Sequence, residues 1–99
     1  MKKTNIPKTK KECFAILDEM LSEEEKVIVV KGEEDLHFSL GLWIRNNWFY
    51  TQSDDAVKVL LKNFGEHLII FETDYNSGVI IDSYRKYLKR KRKLERSDD

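Results

Sequence analysis

Cysteine, long apolar runs and catalytic motifs are scarce in this sequence, and each scarcity excludes a class of protein. The single cysteine, Cys13, can neither close an internal disulfide nor supply a multi-cysteine metal site. No apolar stretch approaches the ~18–20 residues of a membrane-spanning helix. The motifs GxxxxGK(S/T), HExxH, GxSxG and CxxC are absent, so the mechanisms that these motifs serve lack their residues.

An export signal is also lacking at the start of the sequence. Met1, Lys2 and Lys3 look like the charged beginning of a signal peptide, but lysines and a glutamate follow where an apolar run of about 7–15 residues is required. We therefore expect a soluble protein of the cytoplasm that makes no contact with a membrane.

Net charge of one sign is absent, because 18 Lys and Arg residues balance 18 Asp and Glu residues. This balance excludes a uniformly basic nucleic-acid-binding protein. The two signs are nevertheless separated along the chain. From Arg85 onward eight basic and three acidic residues give a charge of +5, and the preceding residues carry −5. The sequence therefore predicts an acidic body followed by a basic extension.

Apolar residues at helical spacing predict several helices. Stripes of this kind occur over residues 10–21, 56–64 and about 79–88. Thr9 and Ser53 are the predicted N-caps of the first two. A further short helix is expected between its N-cap, Ser22, and a stop at Gly32.

Two apolar segments are compatible with either a helix or a strand. Residues 27–30 are all β-branched, which favours a strand, although the flanking cap and stop favour a helix. Residues 36–44 alternate at period two and also repeat at helical spacing, with Asn46 and Asn47 as a helix stop. Residues 67–71 form either a short apolar connection or a short strand.

Three strings of residues carry a family resemblance: P-x-T-x-x-E-C-F-x-x-L from Pro7, H-F-x-L-G-x-W-I-R-N-N-W from His37, and S-G-x-I-I-x-S-Y-x-x-Y-L from Ser77. Over about residues 7–88 they resemble a family of small, mainly bacterial proteins known as domain of unknown function 6794. The resemblance implies a mainly helical fold, and the family has no established chemistry.

We therefore predict an all-α fold, a compact bundle of four to five short helices. A single helical domain spans residues 7–88, and residues 89–99 form the basic extension. The alternative is an α+β fold with short strands near residues 27–31 and 67–71.

Seven residues from the mid-chain segment form the candidate binding surface: His37, Gly41, Trp43, Arg45, Asn46, Asn47 and Trp48. Glycine costs about 1 kcal/mol in a helix relative to alanine, so Gly41 indicates the close approach of another helix or a ligand. Arg and Trp dominate interface hot spots, which favours recognition of a protein partner. The other interpretation places both Trp rings in the core, with the polar residues anchoring the following loop.

The basic extension offers a second set of candidates: Arg85, Lys86, Lys89, Arg90, Lys91, Arg92 and Lys93. It is compatible with a solvated helix, a docking strip for an acidic partner such as the body of a second copy, or a nucleic-acid contact. His37 and His67 could join Asp74 or Asp82 in a metal or acid–base site only if the fold brings them together.

We predict a non-catalytic binding or regulatory module that acts through protein contacts, either with another protein or with a second copy of the chain. No cofactor, metal ligand or catalytic residue is predicted. The alternatives are nucleic-acid binding through the basic extension, and a small enzyme or metal site built on the two histidines.

Overall fold

Among the residues that the structure describes, five α-helices follow one another, and a π-helical segment prolongs the third. The computed structural model describes residues 6–50, 53–65, 68–69 and 72–97. The helices are α1 (Lys10–Met20), α2 (Glu23–Lys31), α3 (Glu34–Ile44), α4 (Asp54–Lys62) and α5 (Thr73–Ser97), and the π-helical segment is Arg45–Phe49. These described residues contain no strand, so the predicted all-α bundle is confirmed.

The α+β alternative is wrong for its first strand, because residues 27–31 lie within α2. His67, a candidate site residue, and residues 70 and 71 of the second predicted strand lie outside the described residues. Within the described parts of the chain, no helix is both long enough and apolar enough to cross a membrane.

Short-range hydrogen bonds explain where the first helices begin. The Thr9 hydroxyl accepts a hydrogen bond from the backbone N–H of Glu12 at 3.1 Å. Ser22 and Glu25 form a reciprocal capping box, with distances of 3.1 and 2.9 Å. Each bond satisfies a backbone donor that the first helical turn leaves unpaired. These caps confirm the predicted helix starts.

The β-branched residues of α2 are helical because the ends of the segment and its packing outweigh their strand preference. The capping box fixes the start, and Gly32 ends the helix with φ at 77°, the left-handed conformation that glycine adopts readily. Val29 is buried in the core. The Arg85 Nε of α5 donates a hydrogen bond to the carbonyl oxygen of Val30 at 3.1 Å, which ties α2 to α5.

The mid-chain helix does not stop at Asn46 and Asn47, and that prediction is wrong. The chain continues as a π-helical segment, in which the Tyr50 N–H donates to the Arg45 carbonyl oxygen five residues earlier, at 2.9 Å. A π turn is wider than an α turn, so residues four and five positions after Ile44 both face inward. Trp48 is accordingly 0% exposed and its neighbour Phe49 only 8%.

α5 forms the spine of the fold, and its tyrosines attach it to α1. The hydroxyls of Tyr84 and Tyr87 donate to the two carboxylate oxygens of Asp18 at 2.7 and 2.9 Å. The Phe14 ring stacks on Tyr87 with centroids 4.8 Å apart. Burial, together with the hydrogen bond to Asp18, raises the pKa of both hydroxyls above the usual value of a tyrosine.

α5 is longer at both ends than the sequence predicts. The apolar stripe predicts a start near residue 79, but the helix already begins at Thr73. At the other end the helix runs on to Ser97, well past Leu88, the last buried residue of its apolar stripe. The basic extension is therefore a helical continuation of α5 over its described residues.

Candidate functional site

A cleft of about 740 Å³ lies between α3 and the first turns of α5. Its lining comprises Gly32, Glu34, Asp35, His37, Phe38, Gly41, Arg45, Asp74 and Ser77. Three of the seven predicted surface residues, His37, Gly41 and Arg45, therefore meet in one concave site. Its volume falls in the range of ~300–1,000 Å³ that is typical of ligand-binding pockets.

Arg45 connects the floor of the cleft to α5. Its Nη1 donates to the Ser77 hydroxyl oxygen at 3.0 Å and lies 3.2 Å from a carboxylate oxygen of Asp74. The Ser77 hydroxyl in turn donates to the backbone carbonyl oxygen of Asp74 at 3.0 Å. The Arg45 side chain is only 13% exposed, so the guanidinium holds the start of the π-helical segment against the first turns of α5.

Gly41 makes room for this guanidinium. A Cβ atom at position 41 would lie 3.2 Å from Arg45 Nη1, 3.5 Å from Ser77 Oγ and 3.7 Å from Ile81 Cδ1. The first distance is shorter than nine in ten Cβ contacts in proteins, so the guanidinium would have to shift by a few tenths of an ångström. The predicted close approach at Gly41 is confirmed, and the approaching groups are Arg45 and two side chains of α5.

The outer part of the cleft is acidic and partly apolar. Glu34 and Asp35 are exposed in the first turn of α3, and the Asp74 side chain is 91% exposed at the start of α5. We call these three residues the acidic rim. Phe38 lines the same cleft and is 67% exposed. The site thus combines three carboxylates with an exposed aromatic ring, which favours a ligand that is cationic and partly apolar.

Of the remaining predicted surface residues, Trp48 is buried, Trp43 and Asn47 are half-buried, and Asn46 is exposed. The Trp43 and Trp48 rings pack edge to face with centroids 5.3 Å apart. Asn47 donates from Nδ2 to the Trp43 carbonyl oxygen at 2.8 Å, and Asn46 is exposed. Trp48 is therefore a core residue, and the Asn47 bond ties the π-helical segment back to α3. Of the seven predicted surface residues, His37, Gly41 and Arg45 line the cleft.

The cleft lacks a nucleophile with a free base. The Ser77 hydroxyl already donates to the Asp74 carbonyl oxygen and accepts from Arg45. Cys13 lies in the core, where burial raises the pKa of its thiol to about 12, so the reactive thiolate is scarce at neutral pH. Among the residues that the structure describes, no group of three or more His, Cys, Asp or Glu side chains is placed to hold a metal ion.

Comparison with known proteins adds a family. Residues 6–88 match the sequence model of a family described as Domain of unknown function (DUF6794). The chain belongs to the DUF6794 family. No curated protein and no solved structure matches the chain. The match therefore confirms the resemblance carried by the three residue strings. The family description assigns no function.

The basic extension lies mostly beyond the part matched by the DUF6794 model, and apart from the half-buried Arg92 two groups can be distinguished among its described cations. Arg85 is bonded to α2, and Lys91 lies 3.9 Å from Asp18 and above the Tyr87 ring at 5.9 Å. Four others are exposed and share one face of α5 at helical spacing: Lys86, Lys89, Arg90 and Lys93. We call these four residues the basic ridge. In the described part of the chain, no carboxylate forms an ion pair with the ridge.

Sequence reasoning missed several residues of the cleft. Phe38 was seen only as one member of an apolar segment, although Phe38 and Leu42 are both exposed and lie one turn apart on α3. A helix that buries one face needs only one apolar stripe. Apolar residues on two faces of α3 could therefore have indicated that some of them are exposed. Ser77 carried no signal of its own, since its role depends on Arg45, 32 residues earlier.

Proposed function

We propose that this protein is a non-catalytic binding module that acts through protein–protein contacts in a bacterial cytoplasm, and that the cleft between α3 and α5 receives the partner. The observation that carries this proposal is the exposure of Phe38 beside three carboxylates in a concave site. Aromatic side chains in such sites contribute strongly to protein interfaces when a partner covers them.

The chemistry of the cleft supports a particular class of partner segment. A lysine or arginine of the partner would pair with the acidic rim, and its aliphatic stem or a neighbouring apolar side chain would cover Phe38. The half-buried Arg45 keeps the floor in one arrangement, because its guanidinium is bonded to Ser77 and Asp74 of α5. A floor held in advance lowers the ordering cost of binding.

Catalysis is less well supported by the same residues. His37 is exposed. Its imidazole Nε2 lies beside Gly78 of α5, 3.9 Å from the position that a Cβ atom at residue 78 would occupy. The Ser77 hydroxyl already donates a hydrogen bond to the Asp74 carbonyl oxygen and accepts one from Arg45. A general base must lie within hydrogen-bond reach of the proton that it removes. The Ser77 proton is already donated to the Asp74 carbonyl oxygen.

Site-specific photo-crosslinking tests the proposal. A benzophenone amino acid replaces Phe38 in one variant, and replaces Val59, which is 48% exposed on α4 and outside the cleft lining, in a control variant. We expect a discrete adduct in cell lysate from position 38 and none from position 59. Unlabelled wild-type protein should suppress an adduct with another protein, whereas an Asp35→Lys competitor should not. The same adducts from both positions, or adducts with another protein that are insensitive to the competitors, would contradict the proposal.

Nucleic-acid binding is a second candidate, and the basic ridge favours it because its four cations lack a carboxylate partner among the described residues. About four phosphate contacts predict a slope of roughly −3 to −4 when log affinity for a duplex is plotted against log salt concentration. The test is fluorescence anisotropy with a generic oligonucleotide, comparing the wild type with a variant whose four ridge residues are glutamine. Equal affinity of the two proteins would reject this candidate.

A further inference from the structure

The acidic rim and the basic ridge have opposite charges, and among the described residues no ion pair joins them within one molecule. We propose that they pair between molecules: the basic ridge of one copy docks against the acidic rim of the cleft in a second copy. This inference rests on the proposed function, since it assigns a second copy of the chain as a partner of the cleft.

The geometry of α5 separates Asp74 of the rim from the ridge. Asp74 and Lys86 lie on the same continuous helix, twelve residues apart, which corresponds to about 18 Å along its axis. That separation is more than twice the Debye length of ~8 Å at physiological ionic strength. The helix is unbroken through Ser97, so the ridge cannot bend back toward Asp74. Glu34 and Asp35 follow Gly32, which lies beside the Arg85 guanidinium of α5, and among the described residues no ion pair joins them to the ridge.

The ridge itself is suited to an intermolecular contact. Its four side chains project from one face over about 10 Å of helix, from Lys86 to Lys93. Among the described cations of the basic extension, Lys91 is the one that approaches a carboxylate, with its Nζ 3.9 Å from an Asp18 oxygen. The ridge cations therefore keep their full charge available for another molecule.

The acidic rim is the complementary surface in the same chain. Glu34 and Asp35 are exposed and form no ion pair within the described residues. A helix carrying lysines also brings aliphatic stems, which would cover the exposed Phe38 ring while their ammonium groups reach the carboxylates. The equal and opposite charges of the body and the extension allow this pairing without a net charge building up in the assembly.

The contact is heterologous, because the ridge and the rim are different surfaces. Each copy that docks through its ridge leaves its own cleft free for the next copy. Such contacts produce rings or open chains. The assembly should therefore grow with protein concentration and dissociate when salt screens the charges.

Reversal of charge tests the pairing by sedimentation velocity. In the ridge variant Lys86, Lys89, Arg90 and Lys93 become glutamate, and in the rim variant Glu34 and Asp35 become lysine. The wild type should associate in about 0.01 M salt and be monomeric in about 1 M salt, where the Debye length is ~3 Å. Each variant alone should associate at least tenfold more weakly than the wild type, and an equimolar mixture of the two should associate again.

Two outcomes would overturn the inference: a wild type that stays monomeric at low salt, or a mixture of variants that does not regain association. A milder rim variant, Glu34→Gln with Asp35→Asn, removes the attraction without placing lysines in the first turn of α3, where the helix dipole disfavours them. Circular dichroism of every variant checks the fold.

The Phe38 photo-crosslink separates this inference from the proposed function. An adduct with the mass of two copies supports the pairing. Adducts with other proteins alone would overturn the second-copy assignment and leave the binding cleft intact. No adduct from position 38 under any condition would overturn both.

Discussion

The carboxylate of Asp18 accepts hydrogen bonds from two tyrosines of α5, and its replacement by alanine should destabilise the fold substantially. Tyr84 is 0% exposed, so its hydroxyl would lose its partner where water cannot replace it. A buried polar group left unpaired costs about 1–3 kcal/mol. Tyr87 is half-buried and would recover a bond to water. The ion pairs of Asp18 at 3.9 Å add little. We therefore expect Asp18→Ala to lower the free energy of unfolding by about 2–3 kcal/mol.

Urea denaturation followed by circular dichroism measures this loss. Glu19→Ala is the matched control, because Glu19 is the exposed neighbour on the same helix, and it should change the free energy of unfolding by less than about 0.5 kcal/mol. Adding Tyr84→Phe to Asp18→Ala removes the unpaired hydroxyl and should recover about 1 kcal/mol or more. An Asp18→Ala variant as stable as the control, or a double variant without recovery, would refute the reasoning.

Three further predictions concern the core and a helix end. Because the pKa of Cys13 rises from 9.0 to about 12 on folding, its contribution to stability is complete below pH 9 and is lost as pH rises toward 12, at up to about 1.4 kcal/mol per pH unit; Cys13→Ala should flatten urea-derived stability over that window. Trp48→Ala should cost about 3–5 kcal/mol and Asn46→Ala less than about 0.5 kcal/mol, and similar values for the two would contradict the core position of Trp48. Gly32→Ala should lower the thermal midpoint through a strain of about 1–2 kcal/mol at φ 77°, and an unchanged midpoint would show that the left-handed conformation is not required.

The helix starts could be predicted because they depend on residues close together in sequence. Thr9 and Ser22 each bond a backbone N–H three residues later, and such caps are visible in any sequence. The conformation of residues 27–30 could not be predicted locally. Their β-branched side chains favour a strand, and the decision comes from Val29 in the core and from the bond between Val30 and Arg85, 55 residues away.

The candidate site could be predicted in part for the same reason. Gly41 is anomalous in any helix, so the sequence marked it, and Arg45 follows it by one turn. Phe38 was missed because the sequence does not show which apolar face of α3 is buried. Trp48 attracted attention as a surface residue because tryptophan is typical of interfaces, but the π turn directs it into the core.

The π-helical segment also constrains how the length of this chain can vary. Its wide turn places Trp48 and Phe49 side by side in the core. Deletion of one residue between Arg45 and Trp48 would restore the ordinary helical repeat and rotate one of the two aromatic rings by about 100° toward solvent. An insertion there would displace Phe49 in the same way. We therefore expect insertions and deletions to be tolerated better elsewhere. The number of residues from Arg45 to Phe49 has to stay constant if Arg45 is to line the cleft while both rings lie in the core.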